Sequence, residues 1–298
     1  MADPEALRDG LWLLDTHQFG FPRYGGVYIL RDGDETALIE TGTSLAAPRV
    51  LRALEELGIG REGVTKIFLT HIHLDHGGGA GALVRELPAA RVVVHERGAK
   101  HLVDPARLLR SVREAVGDRF PLYGSARPIP PGRIEPVGGE RAFRVGKLEV
   151  VAIPTPGHAP HHLCFFIPRT GELFTGDAAG LYLAGNLYPT TPPPSFDLER
   201  SLETLDRLAA VGPGVLLYTH FGPGGEAGVL LRRYGELLRW WTGKVADALE
   251  STGDEIAALE ALLADPEVLR CAYRGDHDRA ELHMNIRGVL RYLSRRGR

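Results

Sequence analysis

Three histidines and an aspartate, His71, His73, Asp75 and His76, fall within six residues, directly after the apolar run Ile67-Phe68-Leu69 and directly before Gly77, Gly78 and Gly79. The apolar run reads as a buried strand and the glycines as a sharp turn, so the four polar side chains emerge together at a strand end. Imidazoles with one carboxylate suit zinc or a non-haem iron, whereas calcium and magnesium call for a purely oxygen set. A merely polar loop gives no reason for four ligand-type residues packed between a strand and a glycine run. The stretch is therefore read as a metal-binding loop.

The string His-x-His-x-Asp-His after a short hydrophobic strand resembles the signature of the metallo-β-lactamase superfamily. Later segments match the rest of its pattern in the same order: Pro154-Thr155-Pro156-Gly157-His158, Leu173-Phe174-Thr175-Gly176-Asp177 and Leu217-Tyr218-Thr219-His220-Phe221-Gly222. The resemblance implies an αββα sandwich of two mixed sheets. It also implies one metal ion on His71, His73 and His158, a second on Asp75, His76 and His220, and Asp177 bridging the two. The cofactors would then be two divalent ions, zinc first, with manganese or iron as alternatives. Two such ions about 3.5–4 Å apart share a water and lower its pKa towards neutrality, so no Ser or Cys nucleophile is needed. Asp75 and Asp177 would handle the leaving group's proton.

The same resemblance narrows the substrate. The trio Asp75-His76-His220 is similar to that of glyoxalase II and ribonuclease Z, while zinc β-lactamases depart from the string at its last position or use a cysteine as bridge. Acyl-homoserine lactonases tend to carry a tyrosine three residues after the bridging aspartate, where this chain has Gly180, and the long basic arm of ribonuclease Z has no counterpart. A glyoxalase II-like hydrolase of a small ester or thioester is the implied activity, with lactonase and phosphodiesterase as alternatives. Persulfide dioxygenases also resemble the family; they would use one iron on His71, His158 and Asp177.

Outside the ligand segments, Leu11–Thr16, Val27–Leu30 and Ala37–Ile39 read as antiparallel strands, and Glu40 closes the last of them. Glu40 occupies the position where the superfamily usually has an aspartate buttressing the metal loop, which implies a supporting role for it. Pro48–Leu57 carries a helical apolar face stopped by Gly58, Gly81–Leu87 reads as a helix and Arg91–His95 as a strand, a β-α-β rhythm. His95 and His101 read as cap or surface residues. Asp104–Val116 reads as a helix in an insert that walls the pocket, and Phe143–Ile153 as a hairpin leading to His158. His162 is a candidate to bond a ligand or the substrate, with His161 beside it. The stretch 178–196 is rich in glycine, tyrosine and proline and reads as a non-helical loop in which Tyr182 and Tyr188 could bond substrate. Asp197–Ala210 reads as a capped helix and Val215–Tyr218 as the strand presenting His220.

Beyond Gly224-Gly225 only helical patterns follow: Val229–Leu249, Asp254–Leu263 and Arg279–Leu293. Residues 1–224 are read as the catalytic domain and 225–298 as a C-terminal helical appendage, which closes over the pocket or, through Trp240-Trp241, joins a homodimer. His277 and His283 read as surface residues. The 298 residues are 44% hydrophobic, enough for a large core, and the net charge of −3 argues against a nucleic-acid grip, leaving a small-molecule substrate. Arginine outnumbers lysine heavily, which is read as genome composition. Two cysteines make no disulfide framework, Cys164 reads as a buried apolar position, and no segment reads as an export signal or a membrane span. A cytoplasmic protein is expected.

Overall fold

Val27, Tyr28, Ile29 and Leu30 are consecutive and all buried, because their strand has a core on each face. Val27 and Ile29 face an outer layer with the first helices, while Tyr28 and Leu30 face a second sheet. That one strand shows the four-layer order of the molecule, helix, sheet, sheet, helix. A computed structural model describes residues 3–272 and 275–296, with only the backbone of 275–278; His277 thus lies outside the described residues.

The first sheet runs in the order β1 (Glu5–Arg8), β2 (Leu11–Asp15), β3 (Gly26–Asp32), β4 (Glu35–Ile39), β5 (Val64–Phe68), β6 (Arg91–His95) and β7 (Ile134–Val137). Its early pairs are antiparallel, and from β4 to β7 the strands are parallel because helices intervene. These are α1 (Ala47–Glu56), α2 (Leu74–Gly77), α3 (Ala80–Glu86), α4 (Glu96–Val103), α5 (Ala106–Val116) and α6 (Phe120–Tyr123). The second sheet comprises β8 (Arg141–Val145), β9 (Leu148–Pro154), β10 (Leu163–Ile167), β11 (Glu172–Gly176), β14 (Val215–Tyr218) and β15 (Gly222–Gly224), with β11 and β14 parallel. Between the sheets Phe68, Phe143, Phe165 and Phe174 lie buried, Phe68 and Phe165 with ring centroids 4.9 Å apart. Each such side chain contributes roughly 1.5–3 kcal/mol by leaving water.

The expected αββα sandwich of two mixed sheets is the observed one. Its details depart from the sequence reading in three places. Edge strands β1 and β7 are too short to carry a pattern. The segment after His95, which bears His101, is the helix α4, polar enough to pass for a loop. The stretch read as loop at 178–196 contains a small hairpin of β12 (Leu181–Leu183) and β13 (Asn186–Tyr188).

The change at Gly224 is one of secondary structure, not of packing. Helices α7 (Leu198–Val211), α8 (Ala227–Thr252), α9 (Glu255–Ala264), α10 (Pro266–Leu269) and α11 (Gly275–Arg296) cover the outer face of the second sheet. One core cluster takes Leu173, Leu205 and Leu216 from before that point and Tyr234, Trp241 and Ile286 from after it. Among the described residues no helix is long and apolar enough to cross a membrane.

Candidate metal centre

Strand ends supply the ligands. Strands β5, β9, β11 and β14 all terminate at one edge of the sandwich, and the residues that follow them are His71 to His76, His158, Asp177 and His220. The loop after β5 is drawn tight by backbone approach. A Cβ on Gly78 would stand 2.2 Å from the Leu74 carbonyl oxygen, so only glycine lets α2 turn there. The His76 carbonyl accepts from the Thr41 amide at 2.9 Å and from its hydroxyl at 2.6 Å, fixing the loop against the end of β4.

The imidazole nitrogens converge in two groups, with potential ligand atoms within 4.8 Å in each: His71, His73 and His158 in one, Asp75, His76 and His220 in the other. His71 Nε2 and His73 Nδ1 are 2.9 Å apart, His73 Nδ1 and His158 Nε2 3.1 Å, and His76 Nε2 and His220 Nε2 3.2 Å. Asp177 sits between the groups, Oδ1 3.3 Å from His76 Nε2 and Oδ2 3.3 Å from His158 Nε2. Its Oδ1 is buried and has no hydrogen-bond partner in the protein. A buried carboxylate oxygen in that state is costly unless a cation faces it. The donor set and this orphaned atom fit two metal ions.

Most of the ring nitrogens that face away from the centre are engaged. His76 Nδ1–H donates to Glu40 Oε1 at 2.9 Å, His158 Nδ1–H to the Thr190 carbonyl at 3.2 Å, and His220 Nδ1–H to the Tyr24 carbonyl at 2.6 Å. His71 Nδ1 meets the Thr70 hydroxyl at 3.0 Å, and that hydroxyl donates to Glu40. Outward bonds of this kind set the tautomer and leave the inner nitrogen free for a metal. Glu40 is wholly buried and also accepts from the Thr219 hydroxyl at 3.3 Å, so one carboxylate ties the ends of β4, β5 and β14 together. It also lies close enough to His71 and His76 to form a third potential ligand group. Its bond to the outward nitrogen of His76 places it behind the ligands.

Burial and the neighbouring imidazoles hold His71 and His73 well below the ordinary histidine pKa, in the neutral form that binds metal. Burial opposes charge on His76 too, yet Asp177, Glu40 and Asp75 outweigh it and raise it well above the ordinary value. Asp177 is held well below the carboxylate range: burial pushes it up, and His76 and His158 pull it further down.

The remaining candidates separate. His162 is wholly buried and faces protein: its Nδ1 meets the Thr155 hydroxyl at 2.7 Å and its Nε2 accepts from the Asp177 amide at 3.1 Å, so it orients Asp177. His161, one residue earlier, points the other way, stacks 6.2 Å from the His71 ring and lines the cavity. Tyr182 and Tyr188 do not line it. The Tyr182 ring stacks on Tyr218 at 5.0 Å, and its amide donates to the His220 carbonyl; Tyr188 packs on the core between the sheets. His95 is the cap of α4, accepting from the Arg97 amide at 3.1 Å, and His283 lines the cavity rather than lying clear of it. Gly180 has φ +82° and a Cβ there would lie 2.3 Å from the Tyr234 ring, so α8 fills that space.

The centre forms the floor of a cavity of about 800 Å³ whose walls come from the loop before β3, from α4 to α6, from Pro192-Pro193-Pro194 and from α11. Sequence reading passed over Gln18, whose amide donates to Asp75 Oδ2 at 3.4 Å, and Tyr123 and Glu281 in the wall. None sits in a recognisable motif.

A model of the Metallo-beta-lactamase superfamily matches residues 20–220. A metallo-beta-lactamase fold-containing protein of Sulfurisphaera tokodaii is 30% identical over 72% of this chain and 78% of its own length. The crystal structure of a metallo-beta-lactamase family protein from Thermus thermophilus superposes with a TM-score of 0.71 at 27% identity, covering 98% of this chain and 95% of that one. A hydroxyacylglutathione hydrolase of Rhodobacter capsulatus is 27% identical over 82% of this chain and 86% of its length.

Proposed function

The chain belongs to the metallo-beta-lactamase superfamily, and from that premise we propose that it is a binuclear metal-dependent hydrolase of small esters or thioesters. The observation that carries the reading is the pairing of inward-facing ligand atoms in two groups with an orphaned Asp177 oxygen between them. His71, His73 and His158 would hold one ion, Asp75, His76 and His220 the other, with Asp177 between. Imidazole and carboxylate donors suit zinc. Such a pair, when bound, supplies a hydroxide at neutral pH and polarises a carbonyl oxygen.

The protein's own groups do the rest. Glu40 and Thr70 keep the imidazoles in one tautomer, and His162 keeps the Asp177 backbone in place. Asp75, partly open to the cavity and held by Gln18, is the carboxylate placed to pass a proton to a leaving group. The cavity is wide enough for a small ligand. The name of the R. capsulatus relative, a hydroxyacylglutathione hydrolase, supports the thioester choice.

Elemental analysis of freshly purified protein, followed by assay on thioesters, esters, lactones and phosphodiesters, tests this. About two zinc or manganese ions per chain with thioester turnover is expected. About one iron per chain with oxygen uptake on a persulfide would replace the hydrolase with the dioxygenase reading.

A further inference from the structure

The floor and the mouth of the cavity differ in charge. On α4, Arg97, Lys100 and His101 lie three and four residues apart and so share a face, and Arg107 opens α5 beside them. All four line the same cavity as His73, Asp75, His158 and Asp177, with Arg287 of α11 also in its wall. Arg97, Lys100, Arg107 and Arg287 are exposed, which puts them at the open end. Several arginines elsewhere are paired, Arg8 with Glu172, Arg61 with Glu86, Arg91 with Glu135 and Arg296 with Glu199. No carboxylate lies within ion-pair distance of the four cations among the described residues.

The acidic groups that line the cavity are spoken for or stand apart. Asp75 and Asp177 belong to the metal centre. Glu281 takes the Arg119 guanidinium at 3.1 Å and the Tyr123 hydroxyl at 3.3 Å, and Asp104 caps α5 through the Ala106 amide at 3.0 Å. Glu114 lies two turns along α5 from Arg107. Burial first, then Lys100 and Arg107, pull His101 below its ordinary pKa, and Asp104 partly offsets them. The same lining also carries apolar side chains, Leu108 and Val112 of α5 one turn apart, Phe19 and Met284.

We propose that Arg97, Lys100 and Arg107 form an anion-binding subsite, and that the substrate carries a phosphate or carboxylate at the end remote from the bond cleaved, with an apolar segment between. The inference rests on the hydrolytic reading and specifies its substrate. Exposed cations at a cavity mouth act through a field that salt screens over about 10 Å at 0.1 M, so the contribution belongs mainly to KM.

The test uses zinc-loaded protein and pairs of thioesters that differ in one group: S-acetyl-4′-phosphopantetheine against S-acetylpantetheine, and S-acetyl-3-mercaptopropionate against its methyl ester. In the wild type, kcat/KM for the charged member is expected to exceed that for the neutral one by about tenfold at low salt. The ratio should fall towards one at high salt and in the Arg97→Ala/Lys100→Ala/Arg107→Ala variant, whose metal content and melting temperature report its folding. The pair with the larger ratio identifies the anion. Equal kcat/KM within both pairs, or a preference that survives the triple substitution, would overturn the subsite. If neither thioester of a pair is cleaved, the hydrolytic reading fails. The subsite is then decided by calorimetric titration with 4′-phosphopantetheine and pantetheine: phosphate-dependent binding lost in the triple variant supports it, and equal binding of the two refutes it.

Discussion

The floor of the cavity and its outer wall are built on opposite principles. On the floor most of the candidate ligands are buried, most of their outward nitrogens have a partner, and Glu40 alone joins three strand ends across 179 residues of sequence. At the outer wall the side chains are exposed, several of the charges are unpaired, and the contacts come from the insert helices and from α11. A buried polar network tolerates no loss, because any group left behind is unpaired in a low dielectric. An exposed wall can change residue by residue at small cost. Under the proposed function the floor would carry the chemistry and the wall the choice of substrate.

That contrast can be broken or sharpened by substitution. Asp177→Ala removes the one group shared by both ligand sets, so metal content should drop by half or more and turnover should fall by more than the roughly 100-fold typical of an outer partner. Near-normal turnover with full metal would show that the floor does not work as a unit. Glu40→Gln keeps the shape and removes the charge behind His76; metal affinity is expected to fall about 10–100-fold, read by competition with a chelator. Unchanged affinity would reduce Glu40 to a packing role.

Asn285 tests whether the wall reaches the floor. It accepts from the Thr191 amide at 2.6 Å and donates to the Pro189 carbonyl at 3.3 Å, and between those residues Thr190 supports His158 and Asp177. Asn285→Ala should cost about 2–3 kcal/mol in denaturant unfolding and weaken metal binding with it. A stability loss without any change in metal affinity would separate α11 from the centre.

The smallest effect expected is at Glu281. Burial pushes its carboxyl up to about 7, and Arg119 only partly offsets this. The folded state therefore keeps a proton that the unfolded state has lost above its value of 4.5. Stability from this group is fully present below that value and is lost as pH rises through about 7. Relative to wild type, Glu281→Gln should thus gain about 1–2 kcal/mol between these limits, allowing for its partial exposure. The two proteins are compared at each pH, which cancels the titration of the metal ligands. A pH-independent difference would mean that the carboxyl is ionised throughout.

The sequence by itself singled out the candidate ligand set, because His71 to His76 are contiguous and His158, Asp177 and His220 each follow an apolar strand. Strand and ligand are local facts, and a strand end places its next side chains without reference to anything distant. It also determined the layered class of the fold, through alternating and helical periods. What only the tertiary structure decided is everything that depends on two remote segments meeting. Glu40 has the look of a turn carboxylate until Thr70, His76 and Thr219 close around it. His161 and His162 are interchangeable as text, and the orientation of β10 sends one to the cavity and the other to Asp177. Tyr182 and Tyr188 had the right chemistry but turn towards Tyr218 and the inter-sheet core. Asn285 lies 94 residues from the Thr191 it binds, and no pattern along a chain encodes a partner at that distance; only packing α11 over the second sheet brings the two together.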